Sequence, residues 1–203
     1  MGNPWITIWT EPKQTVRALI QVDSHYGYWV LAGLYGLSSC FYGVHLYSWS
    51  LAAALPVSWL PLLMISPVLG AIALNLEAWI LYWISKLFKG VATYSEVRCA
   101  VAWAKIPLAI GLLMWVCFAV FSPHVSFIEY LTGVSVVFII FIFFAIYLWS
   151  AVLLIEEIVE IQFFSEWKSL SVVCIGSCVL IFIYLMSAVL VNYAVNKLSV
   201  FAN

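Results

Sequence analysis

Eight Lys and Arg and nine Asp and Glu are all the formal charge that 203 residues carry. Any one of them set inside an apolar run is a candidate for chemistry. Glu77 stands nine residues before Lys86 in such a run, and Glu156, Glu157 and Glu160 cluster at the end of another. Carboxylates brought together from different helices hold metal ions or pass protons, so these four are the candidate metal or proton groups. The plainer alternative makes the trio a solvated helix end and Glu77 a packing residue. No second deep charge is expected beside Glu77, so it is expected to stay protonated, donate a hydrogen bond to a neighbouring helix, and make a poor cation cage. Cys40, Cys99, Cys117, Cys174 and Cys178 lie in or beside apolar helices with no Cys-x-x-Cys spacing, and read as small apolar fillers. His25, His45 and His124 are scattered and form no ligand set. No Gly-x-Ser-x-Gly, phosphate-binding glycine loop or His-Glu-x-x-His occurs. Neither an enzyme nor a cofactor is expected.

The elements that position these residues follow from composition. Apolar residues are 66% of the chain and charged residues 8%, against about 45–50% and about 25% in soluble domains. So little charge cannot cover a water-soluble surface. A net charge of -1 excludes a disordered, highly charged chain and a nucleic-acid-binding domain. The continuous apolarity of residues 136–144 argues against the alternation of a membrane barrel. The expected class is therefore all-α, an integral membrane bundle. About 20 residues cross a bilayer, and charges and prolines divide the chain into five such runs, near 28–49, 59–85, 106–123, 131–155 and 169–194. Glu129 and His124 separate the third from the fourth. Lys and Arg favour the cytoplasmic side of short loops. Five crossings with the N-terminus inside place seven of the eight there, which puts the C-terminus outside.

Residues 1–22 are read as a cytoplasmic interfacial segment ahead of the transmembrane domain at 23–203. Pro12 suits a first helical turn, with Thr10 as its cap, and Val16, Leu19 and Ile20 share one face. Between the second and third runs, Thr93 and Glu96 form a capping box. The short helix that follows is expected on the surface, holding Arg98 and Lys105 near lipid headgroups. Gly33, Gly36, Cys40 and Gly43, and separately Ser66, Gly70 and Ala73, make small-residue stripes suited to close helix packing. Four residues beyond Ala73 the same face reaches Glu77, which is therefore expected to point into the bundle.

Several short patterns, taken in order, resemble the prokaryotic branch of the Yip-domain family. They are Asn3-Pro4-Trp5 with Pro12, Thr15 and Arg17; Lys89-Gly90 with Tyr94, Ala102-Trp103 and Pro107; and Trp149 followed by Phe164-Ser165. The resemblance covers nearly the whole chain. It implies five membrane helices and a cytoplasmic N-terminus, and it makes Asn3, Pro4, Trp5, Pro12, Thr15 and Arg17 candidates for interfacial or partner docking. Eukaryotic Yip-domain proteins bind Rab-type GTPases in vesicle traffic. This chain has neither their long N-terminal extension nor their Asp-Leu-Tyr-Gly-Pro motif, so Rab binding is not carried over. The expectation is a scaffold or adaptor in a bacterial inner membrane, with the lipid bilayer, other membrane proteins or a second copy as partners. The alternative is an ion or small-solute transporter or channel that uses Glu77. The absence of an internal repeat favours the scaffold.

Overall fold

A computed structural model describes residues 2–51, 59–121 and 134–202. Among them every regular element is a helix: α1 (Pro4–Thr7), α2 (Pro12–Val22), α3 (Tyr28–Leu51), α4 (Trp59–Leu87), α5 (Tyr94–Ala104), α6 (Ile106–Phe121), α7 (Val134–Gln162) and α8 (Glu166–Ala202). Three stretches within the described residues are long and apolar enough to cross a membrane: Met64–Leu87, Ile140–Gln162 and Glu166–Ser187. They expose Val68, Ile72, Phe141, Phe144, Phe182 and Leu185 on their outer faces. Large apolar side chains turned outward on long helices are what a hydrocarbon solvent requires. The chain is a helical membrane bundle. Glu129 and His124 lie outside the described residues, as do the side chains of Cys40, Gly43, His45 and Cys117.

The closest helix pair is α3 with α4, and the small-residue stripes explain it. A Cβ built on Gly36 would overlap the carbonyl oxygen of Ser66 and come within 2.8 Å of the Gly70 nitrogen. One built on Gly70 would overlap the Ala32 carbonyl oxygen and come within 2.7 Å of the Gly36 nitrogen. The two backbones touch there, and dispersion across the contact replaces the hydrophobic drive that lipid does not supply. A Cβ built on Gly33 would meet Pro67 Cγ at an ordinary 3.9 Å. Further along the same face of α4, Glu77 is 7% exposed, turned inward as the stripe requires.

Several helix ends differ from the spans read in the sequence, α8 most of all at Glu166–Ala202, and at α2 the cap differs. Helix α7 continues past 155 to Gln162 because no Gly or Pro interrupts it. It stops where Phe163 turns left-handed (φ 53°) and the Phe164 N–H reaches back to the Val159 carbonyl. Helix α4 ends the same way, with Lys89 left-handed (φ 63°) and the Gly90 N–H donating to Ser85 O at 2.8 Å. A Cβ on Gly90 would strike the Gln162 side chain, so the Lys89-Gly90 pair both ends α4 and makes room for α7. Helix α2 begins at Pro12, but Glu11, not Thr10, is its N-cap, and no side chain caps it.

The largest departure is α5. The capping box is present, with Glu96 accepting from the Thr93 N–H at 2.6 Å. The helix, however, is no surface element. Val97 and every residue from Cys99 to Ala104 are buried, and Trp103 is 1% exposed. Helix α5 packs on α2, α3, α4, α6 and α7. Its composition explains this: from Cys99 to Ala104 the helix is apolar all round, and the polar Tyr94, Ser95, Glu96 and Arg98 are confined to its half-buried first turns.

Candidate functional site

The charged and polar side chains converge on one layer at the end of the bundle where α4, α7 and the N-terminal segment meet α5. Its deepest element is an ion pair. Lys105 caps the C-terminus of α5, and its four-carbon stem carries the ammonium inward to donate to Glu77 Oε1 at 2.6 Å. The two side chains are 13% and 9% exposed. Glu77 is thus not the lone deep charge expected of it, and Lys105 is not a headgroup residue. A flexible stem lets a lysine that is terminal in sequence be interior in space. Burial works against the ammonium, but the Glu77 carboxylate outweighs it and holds Lys105 above its ordinary value. The ammonium also lies 5.7 Å from the Tyr35 ring centroid.

The glutamate trio divides. Glu156 Oε2 takes Lys13 at 2.5 Å, and Glu160 takes Arg17. The i, i+4 spacing on α2 matches that on α7, so two turns of each helix are cross-linked. The hydrogen bond to Glu156 holds the Lys13 ammonium above its usual value. Glu157, one position on, is rotated about 100° around the helix from Glu156 and is wholly buried, with neither carboxyl oxygen hydrogen-bonded. Among the described residues no three His, Cys, Asp or Glu side chains gather as a metal site would need.

The N-terminal motif residues build their own segment and fasten it. Asn3 Oδ1 accepts the Trp5 N–H at 3.1 Å, and Pro4 opens α1. Pro12 opens α2, and Thr15 Oγ1 donates to Glu11 O at 2.8 Å and lies 2.9 Å from Thr7 Oγ1. The Trp5 ring lies 5.0 Å from that of Trp103, which is itself stacked against Tyr26. Ile8 and Val16 are completely buried beneath the segment. The segment packs on the bundle along α5 and α7.

Asn75, Gln162 and Ser150 carry no sequence signal beyond being polar in an apolar chain, and Arg98, expected near lipid headgroups, is drawn into the same layer. Asn75 on α4 donates to Tyr28 Oη at 2.6 Å and accepts from Tyr94 Oη at 2.8 Å. Arg98 lies over the Tyr28 ring at 4.9 Å and contacts His25 Nδ1 at 2.7 Å. Gln162 Oε1 accepts the Ala92 N–H at 2.9 Å, and Ser150 Oγ donates to Ala104 O at 2.8 Å. Each ties α5 or its lead-in to another helix. Cys99 sits among them, and burial, followed by the nearby Glu157, pushes its thiol up to about 12.

Fold and layer together define a helical membrane bundle that closes one end with a buried short helix and an N-terminal strap. Its family is shown directly: the Yip1 domain matches residues 6–189, nearly the whole chain, and the protein belongs to that family. No curated protein and no solved structure matches it.

Proposed function

We propose that this Yip1-family protein is a multi-pass scaffold or adaptor of the bacterial inner membrane, organising lipid or partner proteins at its cytoplasmic face. In this reading α3, α4, α6, α7 and α8 cross the bilayer, the N-terminus is cytoplasmic and the C-terminus lies outside. The Lys and Arg distribution supports that orientation. The pairing of Lys13, Arg17 and Lys105 with Glu156, Glu160 and Glu77 in one layer supports placing the N-terminal segment, the connection from α4 to α6 and the end of α7 on one side of the membrane. Other membrane proteins or a second copy are the proposed partners; no catalytic activity, cofactor, nucleic acid or Rab-type GTPase is.

The observation that carries the scaffold over the transporter is the Glu77–Lys105 pair. The carboxylate on which a cation pathway would depend already has a cation of its own. In proteoliposomes the wild-type chain is expected to pass protons and metal cations no faster than empty vesicles. Flux that disappears in Glu77→Gln would overturn the reading. Orientation is read separately. In a cysteine-free background, Gly2→Cys and Ser95→Cys should be shielded from impermeant reagent in intact cells and Asn203→Cys should react. The opposite pattern reverses the topology.

A further inference from the structure

Between the N-terminal strap and α7 runs a groove of about 370 Å³, walled by Trp9, Lys13, Trp149 and Glu156 among others. A second cavity of about 260 Å³ shares Val152 and Glu156 with it and adds Glu166 and Trp167 from the start of α8. Together they form a trough with two unlike ends. Toward the middle of α7 it is apolar and open to the outer face, where Trp149 and Val152 are 43% and 37% exposed. At the strap it is charged, with Lys13 held against Glu156 and Glu166 acting on the same ammonium. Trp167 stands 80% exposed beside them. The trough grades from hydrocarbon-facing to ionic along α7, as an interfacial lipid does.

The charge at the strap end also has a sign. Glu11, Glu156 and Glu166 line the two cavities against Lys13, an excess of two negative charges, and the indoles of Trp9 and Trp167 stand with them. Aromatic faces and carboxylates attract an ammonium, whereas an anionic headgroup would meet net repulsion. A lone lysine is a sufficient point charge for one phosphate. We propose that the trough binds a zwitterionic phospholipid with a primary-amine headgroup, an ethanolamine phospholipid. Its ammonium lies on Glu156, Glu166 and the indoles, its phosphate on Lys13, and an acyl chain along Trp149 and Val152. A primary ammonium gives three N–H donors to the two carboxylates; a choline headgroup gives none. The inference rests on the membrane-scaffold reading and names the lipid that the scaffold engages.

The test uses the full chain purified in mild detergent and offered an equimolar mixture of ethanolamine, choline and glycerol phospholipids with identical acyl chains. Retained lipid is counted by native mass spectrometry. The ethanolamine lipid is expected to be retained about tenfold over the choline lipid, the value of one charge-assisted hydrogen bond. Glu166→Gln and Trp167→Leu alter exposed residues outside the ion pairs, and each should cut that preference severalfold with the melting temperature unchanged. Equal retention of the choline lipid, preferential retention of the glycerol lipid, or a preference intact in both variants would overturn the proposal. Selectivity is read in detergent. Its failure therefore leaves the orientation standing, and a reversed labelling pattern leaves the selectivity standing.

Discussion

Glu77→Gln isolates the Lys105 ammonium in a site where the pair is 2.6 Å apart and both side chains are largely withdrawn from solvent. Screening by water is weak there, and breaking one partner of a buried pair costs about 3–5 kcal/mol because the other charge is stranded. Lys105→Met strands the carboxylate and should cost a similar amount. Replacing a buried pair by neutral residues of similar volume is often close to neutral. The double variant Glu77→Gln/Lys105→Met should therefore lie within about 1–2 kcal/mol of wild type. The cycle would then show a coupling far outside the ~0.5 kcal/mol error of independent sites. Unfolding by a denaturing detergent, followed by tryptophan emission and circular dichroism, measures all four corners. The pH dependence has a definite sign. Lys105 is held above its ordinary 10.5, so its charge-linked stabilisation is complete below that value and is lost only as pH rises through the higher folded value. Two single variants that each cost under about 1 kcal/mol and add without coupling would mean that the pair is hydrated, and would refute the reasoning.

Three further outcomes are expected. Gly36→Leu and Gly70→Leu each drive a side chain into the facing backbone and should destabilise the bundle by at least the ~1–3 kcal/mol of overpacking; unchanged unfolding midpoints would contradict the contact. The Lys13 and Arg17 pairs are partly exposed and worth about 0.2–1 kcal/mol each. High salt or Glu156→Gln/Glu160→Gln should thus speed proteolysis of residues 1–22 while leaving the melting temperature of the bundle nearly unchanged, and a large fall in that temperature would show the pairs to be stronger than this. Cys99 should resist alkylation by a water-soluble reagent at neutral pH in the folded chain and react once the chain is unfolded. Its folded preference for the protonated thiol is complete below the ordinary 9.0 and is lost between there and about 12, so Cys99→Ala should remove a component of alkaline destabilisation across that window; an unaltered alkaline profile would refute it.

Period-based reasoning reached what periodicity encodes. The spacing of Ser66, Gly70 and Ala73 turns Glu77 inward, and Ser66, Gly70 and Glu77 are buried with Ala73 half-buried. The capping box at Thr93 and Glu96 marked the start of α5 to the residue. What the sequence could not show was which surface α5 covers. A short helix beside basic residues looks interfacial until the neighbours that bury Trp103 are known. Lys105 was misjudged for the same reason: its backbone is terminal but its charge is 2.6 Å from Glu77. Dividing Glu156 and Glu160 from Glu157 likewise required knowing which face of α7 receives the strap. These are long-range facts, and local pattern does not contain them.

The burial of α5 also bears on biosynthesis. Its surroundings arrive late: Ala92 bonds to Gln162 across 70 residues, and Ala104 receives Ser150 across 46. The strap must wait as well, because α7, the helix that holds Lys13 and Arg17, follows α1 to α6 in the chain. A chain emerging from the ribosome at about 5–20 residues per second therefore leaves the faces of α5 and the strap that α7 covers open for seconds before α7 exists. During that interval α5 has α3 and α4 to pack on and the strap has α5, but those open faces meet only the membrane interface. Quality control would then meet this protein as a loosely anchored chain whose closing step is the docking of α7, and lesions in α7 should be felt first as rapid turnover.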